Sequence, residues 1–110
     1  MFDNTVGSAT NSDPATRPGE GENVFYHSEV LLSTSAEVTN GWYGESSGYN
    51  YTDPSSSTGM VDNFTQVVWD GTCRIGCGFV GQYAVCRYGP PGNDNTGDTY
   101  ELYLTNVLAP

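Results

Sequence analysis

Lysine is absent from this 110-residue chain, and Arg17, Arg74 and Arg87 are its only basic side chains beyond one histidine, against thirteen acidic residues. The resulting net charge of −10 opposes binding to phosphate backbones and to anionic lipid surfaces. Histidine is limited to His27, and the three cysteines, Cys73, Cys77 and Cys86, lie far from it in sequence. No Cys/His spacing of the zinc-finger kind can therefore be drawn. No apolar run approaches the length of a membrane span. The start, Met1-Phe-Asp-Asn-Thr-Val-Gly-Ser8, has no basic head and no apolar stretch, so it does not read as a signal peptide. The expectation is that secretion, if it occurs, is encoded elsewhere or upstream.

What the chain does have is aromatic residues: eight Tyr, four Phe and two Trp. One small domain of this length must draw its core from them. Residues 1–20 are rich in Asn, Ser, Thr, Gly, Asp and Pro without periodicity, and read as a disordered arm before a domain over 21–110. Glu22–Leu32 reads as a short helix with an acidic first turn. Thr34-Ser-Ala-Glu37 is a capping box that starts a second helix, and Val38, Trp42 and Glu45 then share one face of it. Tyr49–Asp62 is a loop, and the β-branched and aromatic run Phe64–Trp69 reads as a strand. Cys73–Val80 and Tyr83–Tyr88 pair around Gly81-Gln82, whose leading glycine suits a type II′ turn. Glu101–Val107 alternates as a last strand would.

The hairpin register sets Val80 against Tyr83 and Cys77 against Cys86. Counted outward, Cys77 and Cys86 form a non-hydrogen-bonded pair, close enough for a disulfide, with Cys73 left over. Two buried free thiols are the open alternative. Ile75, Phe79, Ala84 and Tyr88 share that face, which is the expected core face.

Two segments carry a family resemblance. Asn63-Phe-Thr-Gln-Val-Val-Trp69 and Tyr83-Ala-Val-Cys-Arg-Tyr-Gly-Pro-Pro-Gly-Asn93 resemble both signatures of the CAP superfamily: cysteine-rich secretory proteins, antigen 5 and pathogenesis-related 1 proteins. Gly21-Glu-Asn23, Glu37–Glu45, Tyr49-Asn-Tyr51 and the ending Leu104–Pro110 add to it, the last being similar to the branch with the mammalian Golgi-associated relative. The resemblance implies an α+β fold, an α-β-α sandwich with an antiparallel sheet. Here two short helices would serve it, with the N-terminal helix layer incomplete. It also implies a cleft where two Glu and two His converge and where many members bind zinc. Glu22 and Glu45 match the two Glu; Asn63 stands where one His belongs, and the other His has no counterpart.

Two carboxylates and an amide suit hard cations better than zinc and are too few to hold one tightly, so no metal or cofactor is expected. Catalysis by a histidine base is lost with the histidines. Glu22 and Glu45, if they faced each other, would form a carboxylate pair with one raised pKa. Some relatives bind sterols or fatty acids through an aromatic loop, and Tyr49, Tyr51 and Pro54 match its start. Two sequons are present, Asn50-Tyr-Thr52 in a loop and Asn63-Phe-Thr65 at the cleft, the second read as accidental. The reading is thus a non-enzymatic, extracellular CAP domain with a degenerate cleft. It would bind a sterol, a fatty acid or a protein partner, or pair as a homodimer, and would bind no nucleic acid. A metal-assisted hydrolase and a gene fragment without function of its own are the alternatives.

Overall fold

The computed structural model describes residues 11–26 and 35–110. Three strands form one antiparallel sheet in the order β1-β3-β2: β1 is Gly21–Tyr26, β2 is Arg74–Val80 and β3 is Tyr83–Gly89. Among the described residues three α-helices accompany it: α1 is Ser35–Tyr43, α2 is Asp62–Val67 and α3 is Glu101–Asn106. Single 3-10 turns lie at Pro14–Thr16, Pro54–Ser56 and Thr96–Asp98, and a longer one at Gly44–Gly48 continues α1.

The β2–β3 hairpin has the register expected, with Val80 opposite Tyr83 and Cys77 opposite Cys86. Gly81 takes φ +57°, the left-handed value that the first position of a type II′ turn demands. The Cα atoms of Cys77 and Cys86 lie 4.1 Å apart and the two sulfurs are bonded, which settles the open alternative. Cys73 is free and exposed.

Three segments differ from the sequence expectation. Gly21–Tyr26 is a strand, not the start of a helix: Val24, Phe25 and Tyr26 have strand-type side chains, and all six residues pair with β3 from Gly21–Tyr88 to Tyr26–Tyr83. The rest of that expected helix, His27–Leu32, lies outside the described residues, as does Thr34 of the capping box. Phe64–Trp69 is mostly α2, because Phe64, Thr65 and Gln66 are buried in succession and a half-buried strand would alternate. Glu101–Asn106 is helical because Tyr103 and Val107, four apart, are the buried pair, while Leu102 and Leu104 face outward.

The core has two parts. One joins Val38 and Trp42 of α1 to Ala84, Cys86 and Tyr88 of β3, with Phe25 and Val67 beside them. The Trp42 indole donates to the Val24 carbonyl at 3.3 Å, pinning α1 to the sheet. The other gathers Tyr49, Phe64, Trp69, Tyr103 and Val107, with Trp69 and Tyr103 edge to face at 5.0 Å. Ile75 and Phe79 do share the helix-facing side of the sheet, yet they are 64% and 40% exposed. They stand on the edge strand β2, and α1 covers the sheet only as far as β3.

Candidate functional site

Glu22 lies in β1 opposite Arg87 of β3, and its side chain is fully buried. One carboxylate oxygen accepts the Ser12 backbone N–H at 2.7 Å. The other accepts the Ser12 hydroxyl at 3.0 Å and Arg87 Nε at 3.1 Å. Arg17 Nε stands 3.9 Å away, itself donating to the Ser12 hydroxyl. Burial alone would raise the pKa of Glu22, but the Ser12 bonds and the two guanidiniums outweigh it and hold the carboxyl below its ordinary range. Residues 11–17 thus fold back over Glu22, and the Asn11 amide donates to its carbonyl at 2.8 Å.

Glu45, just beyond α1, is spent differently. Its Oε1 accepts the Phe64 N–H at 3.0 Å, and its Oε2 accepts the Asn63 amide at 3.0 Å. A carboxylate at the first turn of α2 satisfies a helix-start donor. Asn63 also offers its carbonyl to the buried Asn23 amide, which bonds the Tyr88 hydroxyl as well. Tyr88 is pushed up to about 12 by burial, so it stays protonated. Asn63 therefore links the two halves of the cleft through hydrogen bonds, while Glu22 and Glu45 each keep separate partners and do not act as a carboxylate pair.

A cavity of about 320 Å³ opens between these elements, with Arg17, Glu22, Met60, Asp62, Asn63 and Gln66 among its lining. Zinc does not fit it. Both oxygens of Glu22 are taken by donors that a metal would have to displace, one of them the Arg87 guanidinium. Among the described residues no three His, Cys, Asp or Glu side chains gather closely enough to hold a metal ion.

The aromatic loop faces inward. Tyr49 and Pro54 are buried and Tyr51 is half-buried, with the Tyr49 and Tyr51 rings 5.0 Å apart and both against Phe64. A second cavity, of about 290 Å³, was not foreseen. It lies between α1 and β2, lined by Val38, Trp42, Val67, Ile75, Phe79 and Tyr88, with the Cys77–Cys86 disulfide among them. Gln66 was also missed as a site residue: it is 1% exposed, accepts the Gly92 N–H at 2.9 Å and donates to the Thr72 hydroxyl at 3.1 Å. The turn glycines that approach it were the available signal.

Residues 3–88 match the model of CAP, the cysteine-rich secretory protein family. Pathogenesis-related protein PR-1 of Medicago truncatula is 39% identical over 80 residues, covering 66% of this chain and 46% of that protein. Secreted protein RBT4 of Candida albicans is 36% identical over 104 residues, covering 82% of this chain and 27% of that protein. Among solved structures, that of NaASP2 with Zn2+ superposes with a TM-score of 0.57 at 28% identity, over 77% of this chain and 51% of that one. The chain thus spans about half the length of these relatives, or less. With the signature segments, the sheet order and the family match in agreement, this chain belongs to the cysteine-rich secretory protein family, CAP.

Proposed function

We propose that this CAP domain is a non-catalytic binder that works outside the cell and takes a small apolar ligand, a fatty acid or a sterol. The observation that carries this reading is the apolar groove between α1 and β2, where Ile75 and Phe79 stand exposed beside buried Val38, Trp42 and Tyr88. Its volume of about 290 Å³ suits an acyl chain or part of a sterol rather than a whole phospholipid. Tyr49, Tyr51 and Pro54 serve the frame in this reading. The Cys77–Cys86 disulfide and the relatives named as secreted support an oxidising, extracellular setting. Against a hydrolase, the two carboxylates that match the family cleft, Glu22 and Glu45, are bonded to Ser12, Arg87, Asn63 and Phe64, so neither stands free as a base.

A protein partner is the second reading, favoured by one observation: among the described residues β2 is an edge strand, paired with β3 alone. Titration with a fluorescent fatty acid and with a fluorescent sterol tests the first. Saturable binding of one ligand per chain is expected, weakened at least tenfold by joint replacement of Ile75 and Phe79 with serine, since a tenfold loss needs only about 1.4 kcal/mol, less than two buried methylenes at about 0.8 kcal/mol each. No saturation with either probe, or saturation indifferent to the double replacement, overturns it.

A further inference from the structure

We propose that Asn50 is an N-glycan acceptor and that Asn63, which heads an equally valid sequon, stays bare. Both tripeptides fit the acceptor motif, Asn-Tyr-Thr and Asn-Phe-Thr. Asn50 and Asn63 are both half-buried, but they differ in the local turn and in the sequon threonine, exposed at Thr52 and buried at Thr65.

Asn50 sits in a loop whose neighbours Thr52, Asp53, Ser55 and Ser56 are exposed. Its side-chain oxygen accepts the Thr52 N–H at 3.0 Å, the Thr52 hydroxyl at 2.9 Å and the Asp53 N–H at 2.9 Å. All three partners lie within three residues, so the turn forms locally and does not wait for the rest of the fold. The acceptor amide and the hydroxyl of the sequon are already brought together. The amide nitrogen donates to the Ser56 hydroxyl at 2.8 Å. Attachment replaces one N–H and leaves the oxygen untouched, so the three bonds to the oxygen are compatible with a glycan.

Asn63 has none of this. Its amide nitrogen donates to Glu45, and its side chain lines the cleft. Thr65 has 0% exposure, with its hydroxyl bonded to the Asp62 carbonyl and to Asn93. A sugar there would stand in the cavity and press on Asp62 and Gln66, and the local conformation is the first turn of α2, not an Asn-centred turn.

In the transfer step, the Asn50 amide nitrogen attacks the anomeric carbon of a lipid-diphosphate-linked oligosaccharide. The new C–N bond forms as the C–O bond to the diphosphate breaks, the lipid diphosphate leaves, and one amide proton goes to the transferase's base. Only the place where this occurs rests on the extracellular reading.

The experiment translates the chain behind a cleavable heterologous leader into microsomes that carry oligosaccharyltransferase. A single endoglycosidase-sensitive band shift is expected, abolished by Asn50→Gln and by Thr52→Ala and retained in Asn63→Gln. A shift lost in Asn63→Gln, a double shift, or no shift on a translocated, protease-protected chain overturns the proposal. The forced leader makes these outcomes independent of where the natural chain resides. Fractionation of the natural source judges the extracellular reading separately.

Discussion

Replacing Glu22 with glutamine tests whether the cleft carboxylate is an ion-pair anchor. Glutamine keeps the shape and one acceptor oxygen but turns an amide N–H toward either Ser12 or Arg87. Three charge-assisted bonds are affected, from the Ser12 N–H, the Ser12 hydroxyl and Arg87 Nε. Hydrogen bonds to charged groups are worth roughly 1 kcal/mol more than neutral ones, so the expected loss at pH 7 is about 2–4 kcal/mol. With unfolding entropy near 2.1 cal/mol/K per residue, a domain of this size shifts by about 4 °C per kcal/mol, a fall in Tm of about 8–16 °C. Arg87→Met should cost at least as much, about 3–5 kcal/mol, because it leaves the carboxylate buried with a partner removed.

The pH dependence separates charge from shape. The folded-state carboxyl of Glu22 titrates below its ordinary value of 4.5. Its contribution is therefore fully present above that value and is lost as pH falls through the depressed folded value. The gap between the natural chain and Glu22→Gln should be widest at neutral pH and should close toward strong acid. Scanning calorimetry or urea melts from pH 7 to pH 2 measure it. A gap under about 1 kcal/mol at pH 7, or one that persists unchanged in acid, refutes the ion-pair argument.

Calorimetric titration with zinc at neutral pH should find no stoichiometric submicromolar site that Glu22→Ala and Glu45→Ala abolish; finding one would mean that Ser12 and Arg87 yield to the metal. Thiol titration of the unreduced, denatured chain should count one free cysteine, and peptide mapping should find Cys77 joined to Cys86; reduction should cost about 3 kcal/mol for a loop this short. Tyr49 hides a hydroxyl with no hydrogen-bond partner among the described residues, and burial raises its pKa, so Tyr49→Phe should leave stability unchanged or raise it by up to about 1 kcal/mol in urea melts. Gln66→Leu should destabilise by about 2–4 kcal/mol, because the Gly92 N–H and the Thr72 hydroxyl lose a buried partner, and hydrogen exchange at Gly92 should accelerate.

Where the signal was local, the sequence was enough. The hairpin, its turn, the register that faces Cys77 with Cys86 and the Val38–Trp42 face of α1 all follow from short-range spacing, whereas the bond between the two sulfurs was left open. Where the signal depended on what packs where, it misled. Phe64–Trp69 is β-branched and aromatic yet turns as a helix, because Phe64 must reach Tyr49 and Tyr103 while Gln66 must reach Gly92. Leu102 and Leu104 alternate with Tyr103 as a strand would, but only Tyr103 and Val107 are wanted inside. Ile75 and Phe79 lie on the face that was expected to be core, and sequence does not say that β2 ends the sheet. The cleft shows the same divide. Motif resemblance brought Glu22, Glu45 and Asn63 onto the page. It did not reveal that Ser12, from a stretch without any periodic signal, supplies two of the bonds that hold Glu22.

The family signatures also acquire a physical meaning. Gly21, Gln66 and Gly92 come from three different motifs, and they meet at one side-chain amide. A Cβ on Gly21 would collide with the Gln66 carboxamide, and one on Gly92 would sit 2.6 Å from its nitrogen. Both backbones approach the amide closely only because they are glycine, and the Gly92 N–H is then near enough to donate to it. Beside it, Asn93 joins the Thr65 hydroxyl and the Asp62 carbonyl. The Gly-Glu-Asn strand, the first signature helix and the Pro-Pro-Gly-Asn turn are therefore bolted together by buried amides, not by apolar packing alone. At position 63, where the family resemblance would place a histidine, the Asn63 amide ties Glu45 to α2, and that bond helps to close the frame.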